Sequence, residues 1–207
     1  LGLVSTREPY KKLFNQGMIQ GEDGQKMSKS RVNVINPDDV IEKYGADSMR
    51  LYEMFMGPLD KSKPWSTKGL KGCARFAEKI WRIFNDTDKH SEQTDSKETT
   101  RLLHQTIAKV TNDLDNMRFN TAISQMMIFS NHLQGLASIN KEMLKTFILL
   151  LNPFIPHMAE ELNEQMNAFE SLSYTKWPDF NVELAKEDFI TICLLSTSFS
   201  SSLGVVC

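Results

Sequence analysis

"STKGLKGCARFAEKIWRIF", residues 66–84, is the stretch from which the fold is read. Leu70, Cys73, Ala77, Ile80 and Phe84 recur at intervals of three and four, which on a helix is a single apolar stripe. Ser66 stands where an N-cap would accept a free backbone amide. A long helix with one apolar face needs partners of the same kind, and the chain downstream supplies them. A helix over about 98–117 carries Leu103, Ile107, Val110, Leu114 and Met117, and another over about 120–136 runs through Ile123, Met126, Met127 and Leu133. A further one, capped by Asn140, holds Met143, Phe147, Ile148 and Leu151, and Pro156 opens the next after "NPFIP". Four or more antiparallel helices with short joints make a bundle. The connector "NDTDKHSEQTDSK", residues 85–97, has no apolar residue and reads as mobile.

Upstream, "NPDDVIEKYG" at 36–45 gathers consistent helix signals: Asn36 as N-cap, Pro37 at the first helical position, Asp38 and Asp39 facing the N-terminal dipole, and Gly45 as the stop. Asp38 and Asp39 are thereby helix-start residues, not metal ligands. A second helix from about Asp47 puts Leu51, Met54 and Phe55 on one side and ends at Gly57 and Pro58; "LDKSKPWS" is then a loop. "VNVI" at 32–35 alternates like a short strand, and "KLFNQGMIQG" at 12–21 reads as a helix turn followed by a strand.

Composition narrows the function. With 24 Lys plus Arg against 26 Asp plus Glu, the formal charge of -2 excludes a generally basic chain that coats nucleic acid, so any anion site is local. Cys73, Cys193 and Cys207 form no CxxC pair and no disulfide framework, which fits a reduced, cytoplasmic setting. No run approaches the roughly 18 apolar residues of a membrane span, and no signal segment opens the sequence. With Leu1 and not Met at its start, the sequence is expected to be a piece of something longer.

The local anion site is "GQKMSKSRVN", residues 24–33, with Lys26, Lys29 and Arg31 beside Ser28 and Ser30. Ammonium groups offset charge on phosphate oxygens, and hydroxyls donate to the rest. In displacement at the α-phosphate of ATP, the departing pyrophosphate accumulates negative charge, and cations that reach it lower the barrier. For an arbitrary lysine-serine run, a solvated loop is the commoner reading.

The literal string says more. "KMSKS" resembles the second signature of the class I aminoacyl-tRNA synthetases, and "QGMIQGEDGQKMSKS" followed by "NPDDVIEKYGADSMRLYEMFMGPLDKSKPWS" is similar to the bacterial-type leucyl-tRNA synthetases. "MRFNTAISQMM", "LLNPFIPHMAEEL" and "YTKWP" resemble that family's helical anticodon-binding domain. Four ordered blocks cover roughly residues 11–192. The resemblance implies a mainly α chain: the end of a Rossmann-type catalytic domain with stem-contact helices over 1–65, an anticodon-binding bundle over 66–180, and a truncated or aberrant tail over 181–207.

By position, the resemblance implies that Lys26, Met27, Ser28, Lys29 and Ser30 form the ATP-binding signature loop. Lys29 is then the first choice for stabilising pyrophosphate and Lys26 the second. ATP would enter with Mg²⁺ held mainly by the phosphates, with no protein-bound metal. The partners implied are tRNA(Leu), ATP and leucine, with no DNA and no membrane. The family usually has Gly where Val32 stands, and a β-branched residue resists backbone conformations that Gly allows. The family's HIGH signature and leucine pocket lie upstream of this segment, so the chain alone is expected to be inactive. An isoleucyl, valyl or methionyl relative, or a non-catalytic tRNA-binding helical module, are the rival readings.

Lys68, Lys71, Arg75, Lys79 and Arg82 recur at three and four residues, a basic stripe that could follow a tRNA backbone or simply solubilise a helix face. Contacts of that kind read shape and phosphate rather than bases. Trp65, Trp81 and Trp177 read as core or hinge residues, and His104, His132 and His157 as packing or surface residues. The methionines are core filler. From Ile190 the serine-rich ending has neither helical nor strand period, as a shifted reading frame would give.

Overall fold

A computed structural model describes residues 2–8, 10, 12–166 and 170–186; the serine-rich ending lies outside them. The chain is mainly helical. In order come β1 (Ile19–Gln20), α1 (Pro37–Tyr44), α2 (Ala46–Phe55), β2 (Lys63–Pro64), α3 (Thr67–Asn85) and β3 (His90–Ser91). Then follow α4 (Lys97–Asp115), α5 (Phe119–Gly135), β4 (Ile139–Asn140), α6 (Lys141–Leu151), α7 (Pro156–Gln165) and α8 (Val182–Ala185). Among the described residues no helix is long and apolar enough to cross a membrane.

The helix starts are local chemistry. Asn36 accepts the Asp38 amide at α1, Ser66 the Gly69 amide at α3, and Ser96 the Thr99 amide at α4. Asn140 accepts both Glu142 and Met143 amides at α6, satisfying two donors that the first turn leaves without partners. The expected stripe of α3 is buried throughout, with Phe76 and Ile83 added to it. Fully buried Phe147 lies between Phe129, 4.9 Å away edge to face, and Phe84, 6.4 Å away. One apolar cluster runs from Val40, Leu51, Tyr52 and Trp65 through the bundle to Leu162 and Leu172.

The α4–α5 corner is sharp. Met117 takes a positive φ of 56°, and Arg118 donates its amide to the Asp113 carbonyl at 2.7 Å. The Asp113 carboxylate, fully buried, accepts from Thr121 at 2.6 Å, pairs with Lys109, and lies 3.0 Å from Arg118 Nε.

Four expectations are corrected. "VNVI" is not a strand: it leaves a short 3-10 turn, Lys29–Arg31, through Val32 and continues irregularly into α1. Residues 12–18 hold no helix turn, because the segment is tied sideways, Gly17 donating its amide to Leu59 O at 2.8 Å. The loop "LDKSKPWS" contributes β2, whose parallel partner is β1; that pairing joins residues 44 apart and so leaves no local signal. The connector 85–97 is pinned rather than free. β3 pairs with β4, Asn140 donates to Gln93 O at 2.8 Å, and Lys141 pairs with Glu92 at 2.8 Å.

Trp81 is also not a core residue: it is 37% exposed, since the apolar face of α3 falls on its other side. Trp65 and Trp177 do pack. Trp65 is buried against Tyr52, and Trp177 donates to Thr111 at 2.8 Å.

Candidate functional site

The signature loop is a surface turn with a stitched base. Gly21 donates its amide to Gln25 O and Gly24 donates to Gly21 O, both at 2.9 Å, while Gln25 donates to Asp23 Oδ1 at 3.0 Å. Beyond them, Ser28 donates its amide to Asn33 Oδ1 at 2.9 Å, and the Ser28 and Ser30 hydroxyls lie 3.1 Å apart. Met27 is half-buried and rests against the core, while Lys26, Lys29, Ser30 and Arg31 are exposed. Among the described residues, the Lys26 and Lys29 ammonium groups make no ion pair and no side-chain hydrogen bond. Two uncompensated cations next to a pair of hydroxyls suit a polyanion.

Val32 closes the 3-10 turn with φ 55° and ψ 28°, and it is 90% exposed. That is the left-handed region, which costs a β-branched residue on the order of 1–2 kcal/mol. The expectation that a glycine-requiring backbone passes through this position therefore has a geometric basis.

The loop is tied to α3 by Glu22. Its carboxylate accepts the Thr67 hydroxyl at 2.6 Å and the Thr67 amide at 3.2 Å. The Thr67 hydroxyl first, then its amide, holds the Glu22 carboxyl below its ordinary value. Hydrogen bonds from Gln25 and Asn33 do the same for Asp23. The Glu22 contact brings the first turn of α3, and with it Lys68, beside the loop.

Along α3, Lys68, Lys71, Arg75 and Arg82 are exposed, as the stripe requires. Lys79 turns toward α5 instead, donating to Asn131 Oδ1 at 2.5 Å with its ammonium 5.4 Å from the Phe76 ring centre. Burial, with Arg82 nearby, pushes its pKa down. The open part of the stripe is thus four side chains, with exposed Glu78 on the same helix.

A second tie binds the segment after the loop to the bundle. Asp47, in the first turn of α2, accepts the Met158 amide at 2.7 Å and lies 2.8 Å from His157 Nδ1. An α2 carboxylate so caps α7. Arg50 adds a bond to Pro153 O at 3.0 Å. His104 accepts the Asn181 amide at 3.2 Å, and His132 lies 2.8 Å from the Thr99 hydroxyl, so these two histidines are structural.

Sequence reasoning passed over Glu22, Asp23, Asn33, Asp47 and Thr67. For Asp23 the signal was the turn-forming "GEDG", which places it before Gly24 at φ 71°.

Comparison with known proteins agrees with the mainly helical fold and with the family resemblance. The family model "Anticodon-binding domain of tRNA ligase" matches residues 96–198, and "tRNA synthetases class I (I, L, M and V)" matches residues 3–64. The chain is 48% identical over 198 residues to the leucine–tRNA ligase of Chlorobaculum tepidum, covering 94% of this chain and 24% of the relative. It is 48% identical over 215 residues to that of Chloroherpeton thalassium, covering 99% and 27%. It thus spans about a quarter of the length of these relatives. Among solved structures it is similar to the LeuRS of the Agrobacterium radiobacter K84 agnB2 LeuRS–tRNA–LeuAMS complex. The TM-score is 0.75 at 29% identity, over 89% of this chain and 26% of that one.

Proposed function

Because the chain belongs to the leucine–tRNA ligase family, we propose that it gives an intact ligase the loop that stabilises departing pyrophosphate and the helical surface that holds tRNA(Leu). The observation that carries this reading is the pair of uncompensated ammonium groups, Lys26 and Lys29, on a loop tied through Glu22 to a helix with an exposed basic face. In leucine activation the leucine carboxylate attacks the α-phosphorus of ATP, and the bond to the bridging oxygen of pyrophosphate breaks. Negative charge then grows on the leaving phosphates. Lys29 first, and Lys26 second, would meet it, while Ser28, Ser30 and neighbouring backbone amides complete the cradle together with Met27. Magnesium enters with the triphosphate as part of the substrate.

Residues 1–65 would then belong to the catalytic half and residues 66–180 to the tRNA-binding half. Lys68, Lys71, Arg75 and Arg82 would meet phosphates, with Lys79 contributing less because it already donates to Asn131. Recognition of this sort reads backbone shape. The remaining catalytic groups would come from the rest of the ligase, in a cytoplasmic setting.

The test is the affinity of the purified chain for tRNA(Leu) and for an unrelated tRNA at two salt concentrations. Binding that weakens with salt is expected, and K68E/K71E/R75E should flatten the slope by about 0.7–0.9 per lost phosphate contact. Binding that ignores both salt and these substitutions would remove the helix face from the interface.

A further inference from the structure

The two side chains that bracket the signature loop, rather than its lysines, set its shape. Asn33 Nδ2 lies 3.1 and 3.0 Å from the two oxygens of Asp23 and 3.4 Å from the Lys26 carbonyl, while Asn33 Oδ1 accepts the Ser28 amide at 2.9 Å. One carboxamide therefore holds the entry, the middle and the exit of the turn together. Neither a cation nor a carboxylate could do this, because the position must donate to an anion and accept from an amide at once. The chain leaves space for the arrangement: a Cβ on Gly21 would stand 2.7 Å from Asp23 Oδ1 and 2.9 Å from Asn33 Nδ2. Just before Asp23, Glu22 fastens the same corner to α3 through Thr67.

We propose that Asp23 and Asn33 are positioning residues for leucine activation, their side-chain clasp setting where Lys26 and Lys29 stand relative to departing pyrophosphate. This rests on the phosphate role given to the loop above. The clasp touches neither substrate nor reacting atoms in this reading; it acts through the backbone that carries the lysines. Its geometry is reversible. In D23N/N33D the carboxamide and the carboxylate trade places. The carboxamide now donates from the entry of the loop, and the carboxylate at the exit accepts both that bond and the Ser28 amide. In N33D alone, two carboxylates would face each other across about the 3.0 Å now bridged by Nδ2, and the turn should open.

The experiment is leucine-dependent ATP–pyrophosphate exchange in the intact ligase that contains this segment. N33D is expected to lower kcat by about tenfold or more, the loss of a hydrogen bond to a charged group, with KM for leucine unchanged. D23N/N33D should return kcat to within about threefold of the unaltered ligase. Circular dichroism and tRNA(Leu) affinity, both governed by the bundle, should not move. If N33D fails to fold, D23A removes the clasp without repulsion and is expected to show the same split between kcat and KM. K29A separates the two ideas. If K29A leaves exchange unchanged, the phosphate role of the loop fails. If K29A suppresses exchange while N33D and D23A do not, or if the exchanged pair fails to recover, the clasp has no positioning role.

Discussion

The signature loop and the helix bundle keep their shapes by different physics. Between Gly17 and Asn36 only Gly21 is buried, and the turn is held by Asn33, Asp23 and a few backbone bonds. In the bundle, α5 and α6 together bury Ile123, Met126, Phe129, Leu133, Leu144, Phe147 and Leu151, and apolar packing does the holding. Burial is lost all at once when a domain unfolds, whereas exposed hydrogen bonds open locally at small cost. In the function proposed above, a loop that yields to an arriving triphosphate would belong to the second kind, and a scaffold that holds a large RNA to the first. The tie from Glu22 to Thr67 is where one kind of order meets the other.

The largest expected effect attacks the bundle. Phe147→Ala empties a site between Phe84 and Phe129 and should cost about 3–5 kcal/mol. Urea unfolding followed by circular dichroism measures it. A loss below about 1 kcal/mol would mean that the aromatic contacts are not what holds these helices.

A smaller effect should appear in the loop. Val32→Gly relieves a left-handed β-branched residue and should stabilise the turn by up to about 1 kcal/mol, after the entropy glycine adds to the open state. Amide hydrogen exchange at Ser28 would slow severalfold, with the bundle amides unaffected, and leucine activation by the intact ligase would quicken. Unchanged exchange and unchanged rate together would show that Val32 sits there without strain.

The smallest effect concerns pH. Glu22 has a carboxyl pKa depressed below its ordinary 4.5, chiefly by the Thr67 hydroxyl. A depressed carboxylate stabilises the folded form above the ordinary value, and that contribution is lost as pH falls through the lowered one. The loop-to-α3 tie should therefore be constant from neutral pH down to the ordinary carboxyl value and weaken as pH falls below it. The Thr67 amide resonance, followed across that range, reports it directly. A Glu22 titration at or above 4.5 would show that the strut is open in solution.

The bundle was legible in the sequence because its signals are local and repeated. Stripes at three and four residues, and caps at Asn36, Ser66 and Asn140, required no knowledge of distant residues. The loop was legible only as a string of residues. Lys26 and Lys29 could be named from "KMSKS", but Asn33 read as part of an alternating strand. Its actual work, bonding back to Asp23 and to Ser28, leaves no period. Trp81 was misjudged for a related reason: an aromatic ring on an amphipathic helix looks like core until the direction of the face is known.

By itself, then, the sequence determined the long helices, the starts capped by Asn36, Ser66 and Asn140, and the chemical character of the loop, because propensity, capping and amphipathic period act within a few residues. Tertiary structure alone decided what joins them: the β1–β2 and β3–β4 pairings, the Asp47 cap on α7, the inward turn of Lys79, and the Asp23–Asn33 clasp. Each is a contact between groups brought together by folding. Its energy depends on distances of about 3 Å that depend on the path of the whole backbone.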